Sequence, residues 1–213
     1  MLVLGLNTSW SQKQSYTFVS LDFMAGISEY NHPDLSTYLK DGFQGFDIQY
    51  TWQSKNADSW VSMYNYPAYG FGYTKSNLGA PDIVGNPNAI YAFIDLQINP
   101  KRPGQKHRLY FTPAMGLGFG LNPYDRETNP MNILTSTKQA LFVRLSLSGA
   151  LQIHPYWDLS YGVVCTHISN GRTRQPNQGI NTVGLKAGVK YHLKGRTDYP
   201  ERKKATKLRE HSI

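Results

Sequence analysis

The chemistry-bearing residues of this chain lie near its C-terminal end, on two predicted strands. His167 and Ser169 are two positions apart, and Asn181 follows on the next strand. Residues i and i+2 of a strand project side by side, so the imidazole could take a proton from the hydroxyl. Asn181, on the same face, could orient the imidazole. Donors for an oxyanion lie close by in the sequence: Asn170, Gly171 and Asn177. This set is suited to nucleophilic catalysis.

The faces that carry these residues are apolar. Trp157, Leu159, Tyr161, Val163 and Cys165 lead into His167 with a period of two, whereas the opposite face of the strand is polar. The strand of Asn181 alternates in the same way, with lysines on its polar face. In a membrane barrel the apolar face contacts lipid and the polar face lines the lumen. The pattern therefore predicts that the His–Ser pair faces the membrane, where the substrate would be a lipid.

Eight such alternating segments can be recognised along the chain. Each is close to the roughly 9–11 residues that cross a bilayer as a tilted strand. The connections after the first, third, fifth and seventh segments are long and rich in Asn, Pro and Gly, which is typical of extracellular loops. The sequence thus predicts an all-β fold, an eight-stranded antiparallel up-and-down transmembrane β-barrel. Both termini would be periplasmic, and His167 and Ser169 would lie at the outer end of their strand.

Charged residues at alternate positions support closure of the barrel. Inward positions are predicted for four acids and five basic or titratable residues: Asp22, Asp47, Asp95, Asp158, Arg108, Arg144, Lys186, Lys190 and His192. A barrel of eight strands is filled by side chains, and opposite charges inside it can pair. We expect Arg144, Lys186 and Lys190 near Asp47, Asp95 or Asp158. Leu145, Leu185 and Val189 should contact lipid. A soluble β-sandwich or lipocalin-like barrel is the competing fold.

Composition narrows the remaining options. No apolar run approaches the roughly 20 residues of a transmembrane helix, which leaves a barrel as the way to span a membrane. The 15 tyrosines, 9 phenylalanines and 4 tryptophans could form interfacial girdles, or the core of a sandwich. The single cysteine, Cys165, excludes an internal disulfide and a cysteine-based zinc site. Its place in an apolar stripe favours a packing role.

The termini differ from the barrel region. Residues 1–12 look like the end of a secretory signal that lacks a basic start, and residues 13–193 form the predicted barrel. Residues 194–213 contain seven Lys and Arg against three acids and almost no apolar residues. Such a tail could bind nucleic acid, but a solvated, disordered periplasmic extension is the preferred interpretation. No nucleic-acid partner is therefore expected.

The residues around His167 and Ser169 also resemble the motif of a known family. The run His167-x-Ser169-Asn170-Gly171 followed by Pro176-Asn177-x-Gly179-x-Asn181 resembles the signature of the lipid A 3-O-deacylase family, also described as PagL-type or acyloxyacyl-hydrolase-like outer-membrane proteins. Three upstream motifs resemble its Bacteroidetes branch: Tyr66-Pro67-x-Tyr69-Gly70-Phe71-Gly72, Gly85-Asn86-Pro87, and Asn122-Pro123-Tyr124-Asp125 with Thr128-Asn129-Pro130-x-Asn132. The similarity covers roughly residues 18–193.

The resemblance implies an eight-stranded barrel that removes an ester-linked (3-O) acyl chain from lipid A without a metal or cofactor. It implies Ser169 as nucleophile, His167 as base, and Asn170, Gly171 and Asn177 as oxyanion-hole positions. The implied partner is lipid A within lipopolysaccharide. The implied location is the outer membrane of a Gram-negative bacterium, with the active site toward the outer leaflet. A homodimer is one option for the oligomeric state.

One position departs from the best-known members of that family, which have a glutamate where this chain has Asn181. An amide can orient an imidazole but cannot stabilise the imidazolium by charge. Asp125 or Glu127 could supply a carboxylate if their predicted loop folds over the site. The alternative function is a catalytically inactive barrel that binds lipopolysaccharide or serves structurally. A soluble lipid-binding barrel is a third.

Overall fold

The computed structural model describes residues 15–29, 42–54, 64, 66–99 and 104–196. Within these ranges the chain forms eight strands and one short helix: β1 Ser15–Glu29, β2 Phe43–Ser54, β3 Ala68–Asn77, α1 Pro81–Val84, β4 Gly85–Gln97, β5 His107–Leu121, β6 Ala140–His154, β7 Trp157–Ser169 and β8 Ile180–His192. The predicted signal segment 1–12 and most of the basic tail, from residue 197, lie outside the described residues.

The strands form one closed antiparallel barrel. Each strand pairs with its neighbours in chain order, and β8 closes the barrel on β1 through a register that pairs Leu21 with Val189 and Ile27 with Val183. The β6–β7 register pairs Val143 with His167, and the β7–β8 register pairs His167 with Asn181. The predicted eight-stranded antiparallel up-and-down barrel is therefore confirmed.

The distribution of polarity is the reverse of that in a soluble protein. Large apolar side chains cover the outer wall, and Phe23 and Leu185 are 65% and 69% exposed. Leu145 and Val189 are also on the outside, as predicted. Buried charged and polar residues fill much of the interior. Such a wall is stable only where its surroundings are apolar, so the barrel is a transmembrane one. Among the described residues no helix is long and apolar enough to cross a membrane.

The predicted interior charges are all buried, and most of them pair. Arg144 binds Asp47 through two bonds of 2.7 and 2.9 Å, and Lys190 lies 3.9 Å from Asp95. The predicted partners of Lys186 were wrong, because Lys186 binds Asp22 at 2.9 Å. The register explains this, since Lys186 pairs with Met24 across the β1–β8 ladder and thus lies diagonal to Asp22 on the same inner face.

The interior is apolar at the barrel end where His167, Ser169 and Asn181 lie. Met24, Phe43, Leu134, Phe142 and Ile180 belong to a buried hydrophobic cluster there. Leu134 comes from the β5–β6 loop, so this loop folds into the barrel mouth. This cluster supports the loops beside β7 and β8. Cys165 is exposed on the outer wall, the face on which its place in the apolar stripe puts it, and its packing role stays a prediction.

Candidate active site

His167 and Asn181 are joined directly across the β7–β8 ladder. Their backbones are paired, so both side chains project from the same face of the barrel wall. The Nδ1 atom of His167 lies 2.7 Å from the Oδ1 atom of Asn181. A side-chain amide oxygen only accepts hydrogen bonds, so Nδ1 is the donor, and in the neutral imidazole the lone pair is then on Nε2. This tautomer leaves Nε2 able to act as a base, as the sequence prediction requires.

Ser169, the last residue of β7, has two donors aimed at its hydroxyl oxygen. The Asn177 Nδ2 atom lies 2.9 Å from Ser169 Oγ, and the Gly171 backbone nitrogen lies 3.1 Å away. Both donors stabilise negative charge at or next to this oxygen. Gly171 and Asn177, predicted as oxyanion-hole residues, are therefore brought to the nucleophile position.

Asn170, the third predicted oxyanion-hole residue, is engaged within the loop. Its backbone N–H donates to Asn177 Oδ1 at 3.2 Å. Its side-chain amide donates to the Arg174 carbonyl at 2.9 Å and to Ser136 Oγ at 3.3 Å. These bonds orient Asn177 and hold the loop, whereas the bonds to Ser169 come from the other two residues. In the resting site Asn170 therefore positions Asn177 and the loop.

The segment after Ser169 is a tight turn of unusual handedness. The Thr173 N–H donates to the Asn170 carbonyl at 3.3 Å, and Gly171 and Arg172 between them have φ values of 63° and 62°. Two central residues with positive φ are the mark of a type I′ turn. Glycine adopts this conformation freely, but arginine does so at a cost of about 1 kcal/mol or more. The turn brings the Gly171 N–H back toward Ser169.

The loop between β5 and β6 supports the site from the side. The Ile133 and Leu134 carbonyls accept hydrogen bonds from the Gln178 and Gly179 N–H groups at 3.2 and 3.0 Å. The buried Ser136 also donates to the Arg174 carbonyl at 2.8 Å. Sequence reasoning missed this support, because bonds to backbone carbonyls leave little trace in residue type.

Gly179 is a second residue whose role the sequence did not reveal. Its φ is 79°, and a Cβ atom built on it would lie 2.9 Å from Cε1 of His167. Only glycine fits both the backbone conformation and this close approach to the ring. Gly179 thus forms one wall of the imidazole pocket, and its place in the quoted motif was the available signal.

The asparagine-rich motif that begins at Asn122 builds the supporting loop. Asn132 Oδ1 accepts from the Leu134 and Thr135 N–H groups, and Asn129 Nδ2 donates to the Ile83 carbonyl of α1 at 2.9 Å. These hydrogen bonds pair backbone N–H and C=O groups of the loop that would otherwise be buried without a partner. These residues hold the loop in shape.

Asp125 serves the same loop. Its Oδ1 accepts from the Glu127 and Thr128 N–H groups at 2.9 and 2.8 Å and from the Thr128 hydroxyl. These donors, together with the more distant charge of Arg174, hold the pKa of Asp125 below its ordinary value. In the described part of the chain no hydrogen bond joins Asp125 or Glu127 to His167. In this structure neither residue therefore supplies the carboxylate that position 181 lacks.

Taken together, the side chains form an outward-facing set that contains the types of group acyl transfer uses, namely an imidazole, a hydroxyl and hydrogen-bond donors. His167 is exposed, and Ser169 and Asn181 are half-buried. Within the described ranges no hydrogen bond is formed between His167 and Ser169, a contact that in resting enzymes often tightens only with substrate bound. No group of three or more His, Cys, Asp and Glu side chains within the described segments could hold a metal ion.

Fold and site together define a class: an eight-stranded transmembrane barrel with a Ser–His–Asn arrangement on its outer wall. The family model of lipid A 3-O-deacylase (PagL) matches residues 44–190, more than half of the chain. The chain therefore belongs to the lipid A 3-O-deacylase family. The resemblance to the Bacteroidetes branch stays a prediction.

Solved structures give a further comparison of the fold. The crystal structure of Neisserial surface protein A matches with a TM-score of 0.52 and 12% identity, over 82% of this chain and 96% of that one. The crystal structure of the outer membrane enzyme PagL matches with a TM-score of 0.49 and 14% identity, over 81% and 98%. No curated protein matches the chain in sequence. The first match supports the barrel fold.

Proposed function

We propose that this protein is an outer-membrane lipid A deacylase, which hydrolyses an ester-linked 3-O-acyl chain of lipopolysaccharide. The observation that carries the proposal is the arrangement on the outer wall. The His167 ring is hydrogen-bonded to Asn181 through Nδ1, which leaves Nε2 as the base, and Ser169, two residues further along the same strand, accepts hydrogen bonds from two donors at Oγ. Membership of the lipid A 3-O-deacylase family supports the substrate.

In the proposed reaction His167 Nε2 removes the Ser169 proton as Oγ attacks the ester carbonyl. The carbonyl oxygen becomes an oxyanion, which the Gly171 N–H and Asn177 Nδ2 stabilise. The C–O bond to the sugar then breaks, and the imidazolium donates its proton to the leaving hydroxyl oxygen. Water then attacks the acyl-serine carbonyl as His167 Nε2 takes its proton. The C–O bond to Ser169 breaks, the imidazolium returns that proton to Ser169 Oγ, and the fatty acid is released. All proton transfers use side chains of this protein, so the proposal includes no metal and no cofactor.

The position of the site on the barrel supports the proposed location. Ser169 ends β7 at the barrel end that carries the β5–β6 and β7–β8 loops, and apolar side chains cover the wall below it. A substrate there would have its ester near the interface and its acyl chains in the hydrocarbon layer. Long loops on the cell exterior would place the site in the outer leaflet. We propose residues 13–193 as the membrane domain.

The deciding experiment follows fatty-acid release from lipid A by mass spectrometry, with purified full-length protein in detergent micelles. We expect wild type to release 3-hydroxy fatty acid and both Ser169→Ala and His167→Ala to be inactive. Ser148→Ala, an inward-facing serine in the middle of β6, is the matched control and should retain activity. Heat-modifiable gel mobility checks that each barrel is folded. Full activity in either site variant would refute the assignment.

A second function has one observation in its favour. Asn181 supplies no negative charge to the imidazolium, and no hydrogen bond links His167 and Ser169 in the described structure. A catalytically inactive barrel that binds lipopolysaccharide would keep the fold and lose the chemistry. Lipid A binding by native mass spectrometry without any fatty-acid release by wild type would favour it.

A further inference from the structure

The loop between β7 and β8 carries two arginines, three and five residues after the proposed nucleophile Ser169. Arg172 and Arg174 are exposed, and the loop from Asn170 to Gly179 contains no acidic residue. Arg172 is three residues from Ser169 and lies in the same turn as Gly171, whose N–H contacts Ser169 Oγ. Two positively charged residues therefore lie within five residues of the proposed nucleophile.

The loop is held in place rather than left free. The Arg174 carbonyl accepts from Asn170 Nδ2 at 2.9 Å and from Ser136 Oγ at 2.8 Å. The Asn170 carbonyl accepts from both the backbone and the hydroxyl of Thr173. Because the backbone is held on both sides of the turn, a ligand has to immobilise only the arginine side chains. This lowers the entropy cost of binding.

The backbone at Arg172 points to a function for its side chain. Its φ of 62° is a conformation that glycine or asparagine adopts more easily. A residue held in such a conformation is a reason to look for a role in binding or catalysis. Within the described residues no carboxylate lies within ion-pair distance of either arginine, although Asp125 is close enough for the charge of Arg174 to act on it.

We propose that Arg172 and Arg174 form an anion subsite that binds a phosphate group on the sugar headgroup of the lipid substrate. Guanidinium groups bind phosphate through paired, charge-assisted hydrogen bonds. With the acyl chains along the apolar wall, a sugar phosphate would lie at the level of this loop. The subsite rests on the proposed deacylase function and adds to it that Arg172 and Arg174 recognise the headgroup of the substrate.

The test compares bisphosphorylated lipid A with the same lipid after enzymatic removal of its phosphates. The double variant Arg172→Gln/Arg174→Gln should lose roughly tenfold in kcat/KM on the phosphorylated lipid, mainly through KM, and should match wild type on the dephosphorylated lipid. Arg172→Lys/Arg174→Lys should recover part of the loss. Lys106→Gln/Lys194→Gln, which removes two exposed charges at the opposite barrel end, is the control and should behave as wild type.

Binding separates this proposal from the deacylase proposal. Native mass spectrometry of Ser169→Ala with each lipid measures headgroup preference without turnover. Preferential binding of the phosphorylated lipid that disappears with both arginines replaced supports the subsite, even if wild type releases no fatty acid. Equal binding of the two lipids, a preference that survives the double substitution, or equal losses on both lipids would each overturn it. Dependence on another anionic sugar of intact lipopolysaccharide, with no effect of phosphate removal, would also overturn it.

Discussion

The bond between Asn181 and His167 allows a quantitative prediction. Asn181→Ala removes the acceptor 2.7 Å from Nδ1, so that no hydrogen bond from the described residues fixes the tautomer and the ring is held less tightly in its pocket. In the transition state the imidazole is charged, and a hydrogen bond to a charged group contributes about 1.5–3 kcal/mol. At about 1.4 kcal/mol per tenfold change, we expect kcat to fall roughly 10- to 100-fold.

Asn181→Glu should have the opposite effect. A carboxylate about 4 Å from the imidazolium contributes between about 1 kcal/mol in water and 4 kcal/mol near a protein surface. Asn181 is half-buried, so a gain of about 1–2 kcal/mol, or roughly tenfold in kcat, is expected. Because a carboxylate also favours the charged imidazole in the free enzyme, the acidic limb of the kcat/KM profile should move to higher pH.

The assay is initial-rate release of 3-hydroxy fatty acid from lipid A in micelles between pH 5 and 9. Gln178→Ala is the matched control, because the exposed Gln178 bonds the neighbouring loop through its backbone only. Half or more of wild-type activity in Asn181→Ala would refute an orienting role for Asn181. An acidic limb that does not move in Asn181→Glu would show that position 181 does not act on the imidazole electrostatically.

Three further predictions follow from the structure. Gly179→Ala should reduce kcat at least tenfold with little loss of lipid binding, because its Cβ would displace the His167 ring from its position; unchanged kcat would contradict this. Lys186→Met should destabilise the barrel by about 3–5 kcal/mol in urea unfolding from lipid vesicles, since it leaves Asp22 charged and buried. Lys186→Met/Asp22→Leu should be markedly more stable than Lys186→Met alone, and equal stability of the two would argue against the pair. The pKa of Asp125 is lowered in the folded loop, so its stabilisation is present above the ordinary carboxyl pKa and is lost as pH falls through the lowered value. The protection factors of the amides in that loop, which compare each exchange rate with that of an unstructured peptide at the same pH, should therefore fall below about pH 4 but stay constant from pH 5 to 8, and Asp125→Asn should lower them at pH 7.

The sequence predicted those features that depend on alternation. A period of two decides which side chains point inward, so the barrel, its buried charges and the shared face of His167 and Ser169 could all be read directly. The partner of Lys186 could not, because it depends on the stagger between β1 and β8, which side-chain alternation does not determine.

The conformation of the loops around the site was harder to predict from the sequence. The sequence pointed to Asn170, but only the structure shows that its donors are used on Asn177, Ser136 and Arg174. Gly179 was visible as a motif residue, yet its contact with the His167 ring requires three-dimensional coordinates. Loop conformation is set by such individual hydrogen bonds and close approaches, which have no sequence period.

The placement of Ser169 on the outer wall determines how the proposed reaction rate depends on substrate concentration. Substrate would reach such a site by diffusing within a two-dimensional layer, and both products would leave by the same route, without passing through the barrel. The relevant concentration is then the mole fraction of lipid A in the micelle or membrane, rather than its amount per volume. Adding inert detergent at constant total lipid A should slow the reaction by surface dilution, while diluting protein and mixed micelles together should leave turnover per molecule unchanged.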